Sequence, residues 1–383
     1  MKQIILFLIS FFCLTNLQAK VIVGAESTVE YFPLLKGKRI GVFSNHTGIV
    51  GNEHLVDLLK REGFQVVVIF SPEHGFRGNA DAGEKVGDET DAKTGIPVYS
   101  LYKNSTGKPD NQIMSQIDIL ITDIQDVGLR FYTYYISMYK LMDACAENDK
   151  PMLILDRPNP NGFYTDGPVL DMKYKSGVGY LPVPVVHGMT LGELAQMING
   201  EKWLPQGKTC KLQIIKCKNY SHETRYHLPV PPSPNLPNMK SIYLYPSTCL
   251  FEGTSVSLGR GTAFPFQVYG SPQMKGYDFS FIPQSIPGAK NPPFLDQECY
   301  GVDLRNVPDE TIREEGLNLR YVIDAYNHHP EKEKFFSPFF EKLIGVDYVR
   351  KMIIAGKTAG EIKTRWQPDV EKFKIQRKPY LLY

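Results

Sequence analysis

Along the first half of the chain, short apolar runs rich in β-branched residues each break off at a polar cluster. Val66-Val67-Val68-Ile69-Phe70 runs into Ser71-Pro72-Glu73-His74-Gly75-Phe76-Arg77-Gly78. Ile117-Asp118-Ile119-Leu120-Ile121 runs into Thr122-Asp123-Ile124-Gln125-Asp126-Val127-Gly128-Leu129-Arg130. Met152-Leu153-Ile154-Leu155 runs into Asp156-Arg157-Pro158-Asn159-Pro160-Asn161-Gly162. A short continuous apolar run is the pattern of a strand buried on both faces, as in a parallel sheet. Ligands of open α/β sheets bind beyond the carboxyl ends of the strands. If these strands are neighbours, their acids, arginines and amides converge on one cleft, which points to an enzyme.

The rest of the first half alternates in the same way. Residues 39–43, 96–98 and 184–186 read as further strands, and residues 52–62 and 131–147 have helical spacing. Thr190-Leu191-Gly192-Glu193 is a capping-box pattern opening a helix, so Glu193 reads as a cap before it reads as a catalyst. Repeated strand–helix units imply a Rossmann-like parallel sheet flanked by helices. A proline-dense stretch, Leu228-Pro229-Val230-Pro231-Pro232-Ser233-Pro234-Asn235-Leu236-Pro237, closes a region of changed character. Beyond it, residues 242–245 and 277–282 read as strands, while 315–328, 335–344 and 348–355 read as helices, and Thr358-Ala359-Gly360-Glu361 caps another. The fold class expected is therefore α/β, with a Rossmann-like domain over residues 20–205 and a smaller mixed α/β domain over 206–383 packed against it.

Residues 1–19 read as a secretory signal: Lys2, an apolar run from Ile4 to Leu14 too short to span a bilayer, and Leu17-Gln18-Ala19 before the cleavage point. The protein is expected to be exported, periplasmic or secreted, with no membrane span. Cys145, Cys210, Cys217, Cys249 and Cys299 remain after removal of the signal; their odd number, with no Cys-x-x-Cys, reads as buried unpaired thiols. A formal charge of +2 over 383 residues gives no electrostatic case for nucleic acid. There is no Gly-x-Gly-x-x-Gly after a strand, no P-loop, no Gly-x-Ser-x-Gly elbow and no His-Glu-x-x-His, so dinucleotide enzymes and α/β-hydrolases are disfavoured. No cofactor or metal is implied; the spacing of His46, His74 and Asp123 does not define a metal site.

Glu73 leads the catalytic candidates. A carboxyl at the lip of a buried strand is partly desolvated, which suits general-acid work near neutral pH; the competing reading is a loop ion pair with Arg77. His74 is placed to orient it, and His46, just past the first strand, joins the binding candidates. Asp123 and Asp126 follow the next strand, and neighbouring carboxylates can divide acid and base roles, unless one caps the following helix. Arg130 suits an anion, or pairs with Asp126. Asp156, Arg157, Asn159 and Asn161 sit in a proline-stiffened segment whose amides suit sugar hydroxyls or acetamido groups, with a structural turn as the alternative. In the second half, Glu252 is the candidate carboxylate from across the cleft, and Arg260, between glycines, a candidate clamp for an acidic group; the two also suit one another as an ion pair.

Five motifs resemble one family. Ser-Pro-Glu-His-Gly-Phe-Arg-Gly at 71–78, Asp-Ile-Gln-Asp-Val-Gly-Leu-Arg-Phe-Tyr-Thr-Tyr at 123–134, Leu-Asp-Arg-Pro-Asn-Pro-Asn-Gly at 155–162, Val-His-Gly-Met-Thr-Leu-Gly-Glu-Leu at 186–194 and Phe-Glu-Gly-Thr-Ser-Val-Ser-Leu-Gly-Arg-Gly-Thr at 251–262 occur in that order. Together they resemble the exo-β-N-acetylmuramidases of the NamZ type, from about residue 37 to the C-terminus. The resemblance implies a Rossmann-like domain, a second associated domain and a cleft between them. It also implies release of terminal N-acetylmuramic acid from the non-reducing ends of peptidoglycan fragments. The lactyl carboxylate of that sugar needs a cation, for which Arg77, Arg130, Arg157 and Arg260 are the candidates. On this reading Glu73 is the acid and Asp123 or Glu252 the second carboxylate. The alternatives are a non-catalytic cell-wall glycan-binding protein and a metal-dependent deacetylase or amidase acting on the same polymer.

Overall fold

The computed structural model describes residues 19–73, 75–77, 87–102 and 107–383. His74 and nearly all of the expected export signal lie outside the described residues. The larger sheet has seven strands: β1 (Arg39–Ser44), β2 (Gln65–Ser71), β3 (Glu89–Thr90), β4 (Pro97–Ser100), β5 (Ile119–Asp123), β6 (Met152–Leu155) and β7 (Leu212–Ile215). Their spatial order is β3-β4-β2-β1-β5-β6-β7. All pairings are parallel except the short edge strand β3 on β4. The chain winds outward from β1 through β2 to β4, then returns to the other side of β1 as β5. That reversal is the switch point of a doubly wound fold. Phe43 of β1 pairs with Phe70 of β2, and Ser44 with Asp123, so the polar strand ends form one level edge.

Both faces of the sheet are apolar, as a parallel sheet requires. Ile40, Val42, Ile69, Ile121 and Leu153 pack on one face beneath Tyr31, Leu35, Leu55 and Leu59. Phe43, Val68, Phe70, Leu120 and Ile154 face the other way, toward the helix Tyr134–Glu147. That second core continues without a break into the C-terminal half, through Leu244, Phe251, Phe340 and Trp366. The smaller domain carries a three-stranded antiparallel sheet of β8 (Val268–Ser271), β10 (Cys299–Asp303) and β9 (Phe279–Phe281), in that order, with helices around it.

Four expectations change. Residues 242–245 are not a strand but part of the helix Met239–Thr248. Asn238 Oδ1 caps it by accepting from the Ser241 amide at 2.9 Å, and every residue from Ser241 to Thr248 is buried. A helix apolar all round cannot be told from a buried strand by periodicity. Residues 184–186 make only isolated bridges, Val186 with Leu129 and Asp166. The helix expected over 315–328 is two, Asp309–Glu315 and Arg320–His328, separated at Gly316, whose φ of +64° ends the first. The strand Leu212–Ile215 belongs to the large sheet although it lies beyond the 205/206 division. The five cysteines are buried and free. Among the described residues, no helix is long and apolar enough to cross a membrane.

Candidate active site

A cavity of about 400 Å³ is walled by residues from both sheet-end loops and the second domain. Glu73, two residues past β2, lines it. Its Oε2 accepts from Thr133 Oγ1 at 2.8 Å and from the Tyr102 hydroxyl at 3.1 Å. Thr133 stands at the N-terminus of the helix Tyr134–Glu147, and Tyr102 follows β4, so two separate elements fix one carboxylate oxygen. Burial, with the neighbouring Glu73 charge, holds the Tyr102 hydroxyl well above the usual phenol range, so it stays a donor.

The next wall is the proline-dense stretch. The Tyr132 and Tyr134 hydroxyls both donate to the Pro232 carbonyl, at 2.9 and 3.2 Å, and His46 Nε2 donates to the Pro231 carbonyl at 2.9 Å. Asn45 Nδ2 in turn donates to the Tyr134 hydroxyl at 2.9 Å. These bonds seat Ser233, Asn235 and Leu236 in the cavity wall. Prolines leave the carbonyls of this stretch without local amide partners, so side chains from the strand-end loops supply them. The second domain contributes Tyr245, Phe266, Phe339, Glu252 and Arg260. Arg260 donates from Nε and Nη2 to one oxygen of Glu252, at 3.1 and 2.5 Å, and its guanidinium lies 5.0 Å from the Phe266 ring centroid. Gly259 and Gly261, at φ +85° and +82°, form the tight turn that presents Arg260.

The structure brings Glu73, Glu252 and Arg260 to this cavity, and the other named residues elsewhere. Asp123 is fully buried: its oxygens accept from Arg157 Nε at 2.6 Å and Nη2 at 3.0 Å. A Cβ on Gly48 would fall 2.2 Å from Ser44 Oγ and 3.2 Å from Asp123 Oδ2, so the loop after β1 closes directly over this pair. Asp126 Oδ1 accepts from the Gly128 amide at 2.7 Å, and burial pushes its carboxyl up to about 7. Arg130 is wholly buried, and among the described residues no carboxylate pairs with it. Its guanidinium donates to the carbonyls of Pro168, Val183 and Leu343 at 2.7, 2.8 and 3.0 Å, tying the two domains together. Burial lowers its pKa to about 10.

Asp156 accepts from Thr190 Oγ1, the Gly192 amide and the Tyr383 hydroxyl at 2.7, 2.9 and 2.8 Å, and so seats the N-terminus of the helix Leu191–Gly200. The Asn159 and Asn161 amides point inward, donating to the Met189 and Val127 carbonyls, each at 2.9 Å. Arg77 grips Asp91 through Nε and Nη2 at 2.9 and 2.8 Å. Glu193 is a cap, as its spacing predicts. Sequence reasoning missed Tyr102, Thr133 and Tyr245, and the role of the tyrosines at 132 and 134. Their clustering at 131–135 reads equally well as one face of a helix, and nothing local in the sequence reveals that Pro232 lies opposite. Among the described residues, no three His, Cys, Asp or Glu side chains gather in a way that would hold a metal.

This arrangement joins one carboxylate held by neutral hydroxyls to another held by a guanidinium, in an aromatic enclosure. Carboxylates in such different settings are equipped for different tasks in a single reaction.

Two family models cover the chain from residue 40 onward. One, the N-terminal domain of exo-β-N-acetylmuramidase NamZ, matches residues 40–240, and its C-terminal counterpart matches 243–383. Peptidoglycan β-N-acetylmuramidase NamZ of Bacillus subtilis (strain 168) is 37% identical over 389 residues, which span 96% of this chain and 93% of that protein. A crystal structure of a DUF1343 family protein from Bacteroides fragilis NCTC 9343 superposes with a TM-score of 0.90 at 65% identity, covering 95% of this chain and 99% of the other. A second DUF1343 protein from the same organism gives a TM-score of 0.79 at 28% identity, with the same coverage of both chains.

Proposed function

From its membership of the exo-β-N-acetylmuramidase NamZ family, we propose that this protein is a glycoside hydrolase that releases N-acetylmuramic acid from the non-reducing ends of peptidoglycan fragments, in the cavity between its two domains. The observation that carries the reading is the meeting of Glu73 and Glu252, from different domains, in one aromatic-lined cavity that also holds Arg260. Aromatic faces suit the apolar faces of a pyranose ring, and paired carboxylates are the usual apparatus of glycoside hydrolysis.

Glu73 protonates the glycosidic oxygen as the bond from C1 to that oxygen breaks. Thr133 and Tyr102 anchor one of its oxygens and so fix the direction of the other. Glu252 is the second carboxylate, facing the positive charge that develops at C1. Water adds to C1, one of its protons passes to a carboxylate, and the pair returns to its starting state. Arg260 positions Glu252 and receives the lactyl carboxylate, which gives the site its preference for N-acetylmuramic acid over the lactyl-free sugar. Asp123 belongs to the fold in this reading. The substrate lies outside the cytoplasmic membrane, and Lys2 with the apolar run to Leu14 supports export to reach it.

Glu73→Gln tests the assignment. Turnover of a chromogenic N-acetylmuramide should fall by roughly 10²–10⁴-fold, the usual contribution of a general acid, with sugar binding retained. Full turnover by the variant would remove Glu73 from the role. Product analysis on defined muropeptides reports the bond cleaved and the chain end attacked; any product other than free N-acetylmuramic acid defeats the proposed activity.

A further inference from the structure

A second cavity, of about 660 Å³, lies beside the first and entirely within the second domain. Phe251, Val256, Leu258 and Phe294 give it apolar walls, and Ser255 and Ser257 add hydroxyls. It shares two residues with the first cavity, Glu252 and Arg260, so that ion pair is the partition between them. The outer wall is built in. Asn235 Nδ2, from the proline-dense stretch, donates to the Gly288 carbonyl at 2.9 Å, and the Gln284 amide donates to the Gly261 carbonyl at 2.8 Å. A Cβ on Gly261 would fall 2.6 Å from Pro292 Cγ, so this loop packs directly on the turn that carries Arg260.

We propose that this second cavity receives the peptide stem attached to the lactyl group of a muropeptide substrate. The inference rests on the function proposed above and on Glu73 as its acid. The leaving sugar is joined at C1 and must lie beside Glu73, which lines the first cavity and not the second. With the lactyl group at Arg260, whatever is joined to the lactyl carboxyl continues past Arg260, into the second cavity. A guanidinium donates to an amide carbonyl as well as, more strongly, to a free carboxylate, so the same residue accepts peptide-bearing and bare sugars. The lining fits a short stem of alanyl methyl groups and acidic side chains. Phe251, Val256, Leu258 and Phe294 supply the apolar walls, and exposed Lys290 lines the cavity. The volume lies within the ~300–1,000 Å³ common to small-ligand sites.

Lys290→Glu and Asn291→Trp alter the cavity lining at exposed positions, and a circular dichroism spectrum matching wild type confirms that each variant is folded. Three substrates separate the possible occupants: a chromogenic N-acetylmuramide, the peptide-free disaccharide with N-acetylglucosamine, and the same disaccharide carrying an alanyl-glutamate stem. Wild type should cleave all three. Each variant should lower the ratio of kcat/KM for the peptide-bearing over the peptide-free disaccharide by about tenfold or more (about 1.4 kcal/mol), chiefly through KM. Equal losses on both disaccharides, no loss on either, or a wild type that leaves the peptide-bearing substrate intact would each overturn the subsite. A variant that separates the disaccharides from the chromogenic muramide, irrespective of peptide, would assign the cavity to the glycan chain instead. A wild type inert toward the muramide itself would remove the proposed function as well, which distinguishes the two failures.

Discussion

Asp123→Asn separates a structural carboxylate from a catalytic one. The Asp123 side chain is 0% exposed and that of Arg157 is 4% exposed. Both carboxylate oxygens are occupied by the guanidinium, whose Nη2 also donates to the Ile49 carbonyl at 2.9 Å. The substitution keeps the shape but leaves a buried cation without a counter-charge. Breaking a buried pair in this way costs about 3–5 kcal/mol, a large part of the ~5–15 kcal/mol that usually separates folded from unfolded domains. The midpoint of urea unfolding should drop accordingly, while folded enzyme should keep kcat on the chromogenic muramide within a few-fold of wild type. Replacing both partners with apolar residues of similar size, Asp123→Leu with Arg157→Met, should recover most of the lost stability, because neither desolvated charge remains. The decisive contrary result is an Asp123→Asn protein with wild-type stability and turnover reduced by roughly 10²-fold or more, the scale of a lost acid or base. It would place Asp123 in the reaction and refute the reasoning from burial.

The buried carboxyl of Asp126, at about 7 instead of the ordinary 3.8, sets a pH dependence of stability. Between roughly pH 4 and 7 the folded protein keeps a proton that the unfolded chain has released, so its stabilisation is complete at the acid end and is lost as pH rises, by on the order of 4 kcal/mol. The difference in unfolding free energy between wild type and Asp126→Asn should change across that window and be flat above it; a difference constant from pH 4 to 8 would refute the shift. Arg130→Met should destabilise by about 3 kcal/mol or more, since three buried carbonyls lose their donor at roughly 1–3 kcal/mol each. Its effect should appear in denaturant titration and leave the KM of the folded fraction unmoved; a KM effect without loss of stability counts against the interdomain tie. Arg260→Met should collapse selectivity for a chromogenic N-acetylmuramide over the matching N-acetylglucosaminide by roughly 10²-fold, as expected for loss of a charge-matched clamp; an unchanged ratio would place the lactyl group elsewhere.

The sheet was legible because a doubly buried strand leaves an unmistakable apolar run, and β2, β5 and β6 fall at or near the three runs that stand out in the sequence. Their ends do share one edge, with β1 between β2 and β5. Convergence at an edge proved different from convergence on a cavity. Glu73 turns toward the open space, whereas Asp123 meets Arg157 and Asp156 meets Thr190, Gly192 and Tyr383. The sequence shows that an acid sits at a strand end; it does not show which distant donor arrives to cover it. Tyr383 reaches Asp156 across 227 positions of chain, and no local pattern encodes that. Glu252 and Arg260 were easier, because they lie eight positions apart, with Arg260 flanked by two turn glycines. The sequence offered an ion pair or a cavity-lining clamp, and the folded chain has the pair lining the cavity.

The four arginines weighed for an acidic substrate group differ in how fully their donors are committed. Arg77 is committed to Asp91, Arg157 to Asp123 and the Ile49 carbonyl, and Arg130 to three carbonyls from two domains. In Arg157 and Arg130 the partners converge from more than one segment, and in Arg77 the two bonds take both oxygens of Asp91. Arg260 differs. Both its bonds go to a single oxygen of Glu252, and no described residue takes its Nη1. A guanidinium has five N–H donors, so this one retains capacity while its orientation is already fixed by the bond to Glu252 and the Phe266 ring. On the proposed mechanism the selecting cation and the carboxylate beside it both belong to the second domain, while the acid is held by the first. On that mechanism neither half contains a complete site, and the continuous apolar core together with the three-carbonyl grip of Arg130 joins the two halves.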